Sequence, residues 1–229
     1  MIINHVGLEN DWYRKELVQN AKTLILGSFN PYNPREDNAD YYYGRGTNYF
    51  WKAIAEINQL NPNFFFNNLD RKIEYMTLYR FCFLDVINSV EISSDDNNDL
   101  IINSFINRKI YKEFSDQVLF TTNTSFENTR ITVRRVYNYK IFELLLEGRI
   151  QKIIHTMGNN TIGNDFITKW QENRLGVNGF QGFINKIKNQ ANATFVSQSF
   201  SPSGRAIKAG GQNYFNELKL WLNEHVIRD

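Results

Sequence analysis

A chain of 229 residues, of which 42% are hydrophobic and 22% are charged, can bury a hydrophobic core without disulfide or metal staples. The formal net charge of only +2 excludes the global basic signature of a histone-like binder, so any surface for nucleic acid must be local. The single cysteine, Cys82, excludes an internal disulfide bond and a four-thiolate iron–sulfur cluster.

The first half of the chain alternates predicted helices and buried strands. A helix over residues 9–20 leads into the apolar strand Thr23–Gly27, and helical apolar spacing returns over residues 49–57. Residues 79–87 are typical of a buried strand or of a strand entering a turn, and residues 98–106 predict a short helix.

The second half continues the same alternation. Residues 118–122 and 130–136 alternate like two strands around a polar turn. The remaining predicted elements are a helix over 138–148, a strand over 150–156, a helix over 160–172, a strand over 193–197 and an amphipathic closing helix over 212–226.

This order of elements predicts an α/β fold, a three-layer α/β/α sandwich with a central, mostly parallel sheet. Because no repeat, low-complexity tract or linker-like stretch interrupts the chain, we expect a single domain over residues 1–229. In such sheets, ligands bind beyond the carboxyl ends of the strands. Two predicted strands end in polar, turn-rich loops, residues 27–32 (GSFNPY) and 199–205 (SFSPSGR), where we expect the function to lie.

The first of these loops contains Asn30 immediately before Pro31. The proline ring holds Asn30 out of the helical region, so its side chain projects from the end of a rigid strand. An amide cannot remove a proton as a carboxylate can, but it can hold a water molecule in one orientation. The alternative is a plain turn, since Asn-Pro pairs are common turn formers.

A second segment, residues 40–51 (DYYYGRGTNYFW), contains three consecutive tyrosines. Neighbouring side chains point in different directions, so at least one tyrosine should present its ring to solvent or to a ligand. Asn48 or Thr47 can cap the helix that begins here, which is the alternative to a catalytic role for Asn48.

A third segment, residues 201–206 (SPSGRA), predicts a stiff loop that bears two hydroxyls and a guanidinium. Arg205 and Lys208 bracket this turn-like stretch. A separate local cluster of positive charge comprises Arg130, Arg134 and Arg135. Both groups are interpreted either as a local nucleic-acid surface or as ordinary solvated charge.

Together, the three segments resemble the uracil-DNA glycosylase superfamily, nearest to its mismatch-specific uracil/thymine and hypoxanthine branches. In those branches a strand ends in a Gly-x-Asn-Pro motif, an aromatic residue precedes an Asn-x-Phe-Trp helix start, and a late Pro-Ser-Gly loop enters the DNA. The resemblance runs from about Thr23 to the closing helix and is fainter over residues 81–91 and 153–161. Residues 110–137 look like an insertion.

The resemblance implies a role for each matching residue. Asn30 matches the residue that positions the attacking water, and Asn48 matches an asparagine used catalytically in the hypoxanthine branch. Tyr43 matches the aromatic residue that stacks on the flipped base, and Ser201 stands where uracil-specific enzymes carry histidine and mismatch enzymes carry asparagine. Further residues implied in base binding are Phe29 and Tyr32, and those implied in DNA binding are Pro202, Ser203, Gly204, Arg205 as a wedge, and Lys208.

The function implied is that of a monofunctional DNA glycosylase, which hydrolyses the N-glycosidic bond of a damaged, deaminated or modified base and leaves an abasic site. Its partner is DNA, as a duplex with a flipped base or as a single strand, and we expect a monomer without cofactor. Two alternatives remain: a non-catalytic binder of modified or single-stranded nucleic acid on the same fold, and an unrelated nucleotide-handling α/β protein.

Other polar residues give weaker predictions. Asp85, near a strand end, either reaches the site or serves as a cap or turn residue. The histidines His5, His155 and His225 are scattered without metal-ligand spacing, and His155 is interpreted as a semi-buried structural residue. The N-terminus lacks the continuous apolar region of a secretory signal, and no run approaches the roughly 18 apolar residues that would span a bilayer. We therefore expect a cytoplasmic protein without membrane contact.

Overall fold

Two four-stranded sheets organise the computed structural model, which describes residues 1–31, 39–96, 98–109, 121–157, 180–190 and 192–228. The strands are β1 (Ile2–Asn4), β2 (Thr23–Gly27), β3 (Phe81–Asp85), β4 (Ile87–Ser94), β5 (Thr122–Phe126), β6 (Thr129–Tyr137), β7 (Lys152–His155) and β8 (Thr194–Phe195).

The helices within these ranges are α1 (Val6–Glu9), α2 (Lys15–Asn20), α3 (Phe50–Ile57), α4 (Leu69–Leu78), α5 (Asp99–Lys109), α6 (Lys140–Leu146), α7 (Phe180–Gln190) and α8 (Gly204–Leu222), the last continued by a π-helical turn, Asn223–Ile227. None of the described helices is both long enough and apolar enough to cross a lipid bilayer.

The first sheet is parallel throughout, with the strand order β3-β2-β7-β8. All residues of β2 and β3 are buried, as expected of strands that are covered on both faces. The prediction of an α/β fold with a parallel sheet is confirmed. Because the strands are parallel and in register, Gly27, Asp85 and His155 reach the same edge of the sheet.

The second sheet is antiparallel, with the order β1-β4-β6-β5. The strand predicted over residues 130–136 forms β6, whereas β5 lies C-terminal to the strand predicted over 118–122. Only Val86 separates β4 from β3, so the apolar run over 79–87 enters a new strand rather than a turn. The hairpin turn lies at Glu127 and Asn128, which have left-handed backbone angles (φ 49° and 63°). Residues 121–137 therefore contribute two strands to this sheet, while residues 110–120 lie outside the described part of the chain.

Several predicted helices have different bounds. The single helix over 9–20 is wrong, because Asp11 adopts a left-handed backbone (φ 49°) between α1 and α2. The closing helix begins at Gly204 instead of residue 212, since Ser203 caps it and the helix continues through a kink at Gly211. Helix α4 was not predicted, and the predicted helix over 160–172 lies outside the described residues.

The core consists of two clusters, one on each face of the parallel sheet. Successive strand residues point to opposite faces, so Leu24 and Leu26 enter one cluster and Ile25 enters the other. The first cluster includes residues of the second sheet, α5, α6 and α7, and the second cluster includes residues of α3 and α8. Both faces of the parallel sheet are therefore packed against apolar side chains.

Candidate functional site

The loop that follows β2 is fixed by the N-terminal segment. The carbonyl of Asn30 accepts a hydrogen bond from the Val6 amide at 2.7 Å, and Pro31 forms an isolated antiparallel bridge with His5. The Asn30 side chain is half-buried and makes no hydrogen bond to any described residue. Its amide is therefore available to hold a water molecule or a ligand group.

The two other predicted residues of this loop behave differently from Asn30. Phe29 is 6% exposed and packs in the first core cluster, with its ring 5.9 Å from that of His5. This position makes Phe29 a core residue instead of an open stacking surface. Tyr32 lies outside the described residues.

Tyr43 is the one half-buried member of the three consecutive tyrosines. Tyr41 and Tyr42 are 3% and 7% exposed and belong to the second core cluster. The Tyr43 ring stacks on Phe50 with centroids 4.9 Å apart, and its hydroxyl lies 2.6 Å from Thr156 Oγ1. These contacts fix the ring between the start of α3 and the end of β7.

Gly27 lies where three of these elements meet. A Cβ atom at this position would stand 2.0 Å from Asp85 Oδ1 and 2.8 Å from the Tyr43 hydroxyl. Both distances are shorter than real contacts of a Cβ atom, so a side chain at this position would force Asp85 and Tyr43 to shift. The carboxyl edge of the sheet thus has a carboxylate and a phenol packed directly against the end of β2.

The late loop over residues 199–205 lies against the segment that follows Tyr43. The Pro202 carbonyl accepts a hydrogen bond from the Tyr49 amide at 2.8 Å, and Ser203 forms an isolated bridge with Asn48. At its other end, the Ser199 hydroxyl donates to the His155 carbonyl at 2.6 Å. Two of the three predicted segments are therefore joined directly, although they are far apart in sequence.

The polar side chains at this junction are engaged in local contacts. Asn48 Oδ1 accepts the Phe50 amide at 2.9 Å, a local contact at the start of α3, whose N-cap residue is Tyr49 and not the predicted Thr47 or Asn48. The Ser201 hydroxyl donates to Ser203 Oγ at 3.1 Å, and Ser203 Oγ accepts the Ala206 amide at 3.2 Å as the cap of α8. Asn48 and Ser201, both predicted as catalytic, therefore already have hydrogen-bond partners within the protein.

Positive charge borders the site on two sides. Arg205 and Lys208 are both exposed in the first turns of α8. A separate hollow of about 270 Å³ beside Tyr43 and Asn48, partly open to solvent, is lined by the cationic side chains Arg45, Lys52 and Lys72 and by aromatic rings. Lys72 is neutralised by Asp40, but Arg45 has a buried Nε without a hydrogen-bond partner among the described residues.

The three arginines predicted as a cluster of positive charge lie on β6 in the second sheet. Arg135 is buried and donates to Thr122 Oγ1 and to the Val133 carbonyl, both at 2.9 Å. Arg134 is exposed and lies 3.4 Å from Glu91. Arg130 is exposed. Because β6 points alternate residues to opposite faces, Arg135 lies on the buried face while Arg130 and Arg134 share the exposed face, so the three predicted arginines do not form one basic patch.

A buried pair, His5 and Asp85, was not predicted from the sequence. His5 Nε2 lies 2.6 Å from Asp85 Oδ2, and His5 Nδ1 accepts the Gly7 amide at 2.9 Å. Since Nδ1 is an acceptor, the proton of the neutral ring lies on Nε2 and is donated to Asp85. Asp85 is thus neither a helix cap nor a turn residue. No sequence signal could have found the pair, because the two residues are 80 positions apart.

His155 is more deeply buried than predicted, with 0% of its surface exposed. Its Nε2 donates to the Ser197 carbonyl at 3.1 Å, and burial lowers its pKa to about 4. This histidine therefore stays neutral near pH 7 and serves as a structural link between β7 and the strand end that leads to the late loop.

No group of three or more histidine, cysteine, aspartate or glutamate side chains that could hold a metal ion occurs within the described ranges. In comparisons with known proteins, no family model, no curated protein and no solved structure matches this chain.

Proposed function

We propose that this protein is a monofunctional DNA glycosylase that hydrolyses the N-glycosidic bond of a flipped, modified base and leaves an abasic site. The observation that carries the proposal is the convergence of distant segments. Tyr43 packs against the end of β2, from which the Asn30 loop departs, and the late loop is bridged to Asn48. Ligands of parallel α/β sheets bind at this edge. The finer fold, a three-layer sandwich of the uracil-DNA glycosylase type, is part of the same proposal.

The side chains of Tyr43 and Asn30 suit the excision of a flipped base. A base inside a duplex must be swung out at a cost of a few kcal/mol. Stacking on an aromatic side chain returns about 1–3 kcal/mol per base, which Tyr43 can supply because its ring is fixed by Phe50 and Thr156. Asn30 then orients the water that attacks the sugar, since its amide has no described partner to compete.

The contacts with DNA come from the positive groups that border the site. Arg205 is exposed on the loop side of α8 and has a flat guanidinium that can stack in the gap left by the flipped nucleotide. Lys208 attracts the phosphate backbone from the next turn. The net charge of the chain is only +2, so this local charge makes binding salt-dependent over a short footprint. We propose that the protein acts on DNA as a monomer.

The engaged hydroxyl of Ser201 limits the substrate. Removing one preorganised donor to a developing anion costs about 10²–10³ in rate, and Ser201 already donates to Ser203. We therefore expect slow excision of plain uracil and faster excision of a base that leaves more easily. Excision of uracil from single strands as fast as from every modified duplex would contradict this expectation.

The test is a panel of duplexes that hold uracil, hypoxanthine, xanthine or 5-hydroxymethyluracil, each incubated with the protein and then treated with alkali. We expect strand breaks, which report abasic sites, with at least one base. Asn30→Ala should lower the single-turnover rate by roughly 10²-fold, because a misplaced nucleophile loses that much. Asn103→Ala, an exposed asparagine on α5, is the matched control and should keep the full rate.

A non-catalytic binder of modified or single-stranded nucleic acid is the second candidate. The observation in its favour is that Asn48 Oδ1 and the Ser201 hydroxyl are both engaged in hydrogen bonds within the protein. Binding of the panel duplexes without any abasic product would support this candidate and contradict the glycosylase. Neither binding nor cleavage would exclude both.

A further inference from the structure

The hydrolysis proposed above needs a proton acceptor that Asn30 cannot provide. An amide can orient a water molecule, but it does not take the proton that the water loses when it attacks. A carboxylate near the same strand end would supply this function. Among the described residues, Asp85 is the carboxylate that lies against the end of β2.

The two oxygens of Asp85 face different partners. Oδ2 accepts the Nε2 proton of His5 at 2.6 Å, whereas Oδ1 lies against the Cα position of Gly27. Oδ1 makes no hydrogen bond to a described residue, and it is not among the fully buried unpaired atoms. It therefore remains an acceptor for a water molecule or a substrate group.

One short segment fixes both Asp85 and the Asn30 loop. The His5 side chain holds Asp85, the His5 backbone pairs with Pro31, and the neighbouring Val6 amide donates to the Asn30 carbonyl at 2.7 Å. Two consecutive residues, His5 and Val6, thus position both the Asp85 carboxylate and the loop that carries Asn30. Such rigid support is what a catalytic pair requires.

Solvent can reach the pair from the side away from Tyr43. A hollow of about 330 Å³, partly open, is lined by both His5 and Asp85 together with Asn88, Asn138 and Lys140. The Asn138 side chain is engaged with the Asp85 carbonyl and the Lys140 amide, so Asn88 and the Lys140 ammonium supply the polar groups that make this hollow suitable for water. A proton placed on Asp85 can therefore return to solvent.

We propose that Asp85, oriented by His5, is a further catalytic residue of this reaction. The proposal rests on the proposed glycosylase function. The water oxygen forms a bond to the anomeric carbon of the sugar as the N-glycosidic bond breaks, and the electron pair of that bond leaves with the base. One proton of the water moves to Asp85 Oδ1, and the departing base takes a proton from solvent. One water molecule is consumed, and the negative charge of Asp85 stabilises the cationic sugar before the water attacks.

The experiment compares Asp85→Asn in the full chain with wild type on the duplex that the panel identifies as a substrate. The variant keeps the size of the side chain and an oxygen that can accept the His5 proton. We expect a single-turnover rate that is lower by roughly 10²-fold or more, the usual contribution of a general base. Binding of a duplex that holds a tetrahydrofuran abasic analogue should stay within a few-fold of wild type. Asp70→Asn, an exposed carboxylate on α4, should leave the rate unchanged.

The pH–rate profile separates catalysis from a structural role. Wild type should lose rate at the acidic end of the profile, as any reaction that needs a deprotonated base does, and this acidic limb should be absent in Asp85→Asn. The other titratable or charged groups that face the pair are Tyr13, Tyr42, Tyr43 and Lys140. Burial raises the pKa of Tyr13 and of Tyr42, so neither of these loses its proton near neutrality.

His5 is tested by two variants. His5→Gln keeps a side-chain donor for Asp85 and should retain more activity than His5→Leu, which removes the donor. An acidic limb that persists in His5→Gln and disappears in Asp85→Asn belongs to Asp85. If Asp85→Asn does not fold, the comparison of the two His5 variants decides, because equal rates in both would overturn the proposal.

The possible outcomes distinguish the role of Asp85 from the proposed glycosylase function. If Asp85→Asn keeps a rate within threefold of wild type and an unchanged pH profile, the role of Asp85 is wrong while the glycosylase stands. If wild type forms no abasic site on any duplex, the proposed function itself fails, and the role of Asp85 fails with it.

Discussion

The hydroxyl of Tyr43 lies 2.6 Å from Thr156 Oγ1, which ties the loop before α3 to the end of β7. The contact orients a ring whose position is also set by Phe50. If the ring is the surface on which a flipped base stacks, its aromatic face matters more than its hydroxyl.

Two substitutions of Tyr43 distinguish these contributions. Tyr43→Phe keeps the ring and should lower the excision rate by less than tenfold. Tyr43→Leu removes the aromatic face, so the loss of about 1–3 kcal/mol of stacking should lower the rate by roughly five- to hundredfold. Single-turnover kinetics measure both effects, and urea unfolding shows whether stability contributes. Equal rates for the two variants would mean that no base stacks there.

Gly27→Ala should damage both stability and activity. The new methyl group would meet Asp85 Oδ1 and the Tyr43 hydroxyl at the end of a fully buried strand. Overpacking of this kind costs about 1–3 kcal/mol, measured as a decrease in the free energy of unfolding in urea. Gly46→Ala is the matched control, since its nearest neighbour at 3.3 Å is the exposed and movable ring of Phe66. If the two variants are equally stable, the close packing at the end of β2 is contradicted.

The buried ammonium of Lys72 should make Asp40 important for the tyrosine-rich loop. Lys72 is 1% exposed and lies 2.6 and 2.5 Å from the two oxygens of Asp40, while burial lowers the pKa of Lys72. Asp40→Asn leaves a buried charge without its partner and should destabilise the protein by up to about 3 kcal/mol, since Asp40 itself is partly exposed.

The double variant Asp40→Asn/Lys72→Met provides the control for this pair. It removes the charge together with its partner and should recover much of the stability lost by Asp40→Asn alone. Urea unfolding of the single and double variants gives the coupling energy. Additive effects in this cycle would show that the ion pair does not support the loop.

His155 should make the protein less stable in acid. Its pKa is about 4 in the folded protein against 6.5 for a free side chain, so the unfolded chain binds a proton first as the pH falls. The free energy of unfolding should therefore decrease between pH 6.5 and about 4, by at most about 3 kcal/mol.

This decrease is measured by urea unfolding at several pH values. His155→Gln should flatten the dependence in that window, because the titrating group is gone. His225→Gln, on the closing π-helical turn, keeps His155 and should retain the wild-type slope. If stability depends on pH with the same slope in wild type and in His155→Gln, His155 does not cause the loss of stability in acid.

Short-range patterns of apolar and polar residues predicted those strands and helices whose formation depends on neighbouring residues. The run Thr23–Gly27 is uniformly apolar, and such a run fits a strand buried on both faces. Helix α3 follows from its apolar spacing, and Asn48 Oδ1 accepts the Phe50 amide just before the helix begins, although the N-cap residue is Tyr49. Within the second sheet, the alternation over residues 130–136 predicted β6, whereas β5 was placed too early in the sequence because Thr, Asn and Ser dominate it and no apolar alternation marks it.

The sequence by itself determined the parallel α/β core and the polar loops at its strand ends, because hydrophobic periodicity and turn residues act over a few positions. Only the tertiary structure decided which side chains meet. The His5–Asp85 pair, the close approach at Gly27 and the bridge between Asn48 and Ser203 join residues from distant parts of the chain. Contacts of this kind depend on how the packing of the whole chain brings strand ends together, and no short-range residue pattern encodes which distant residues will meet.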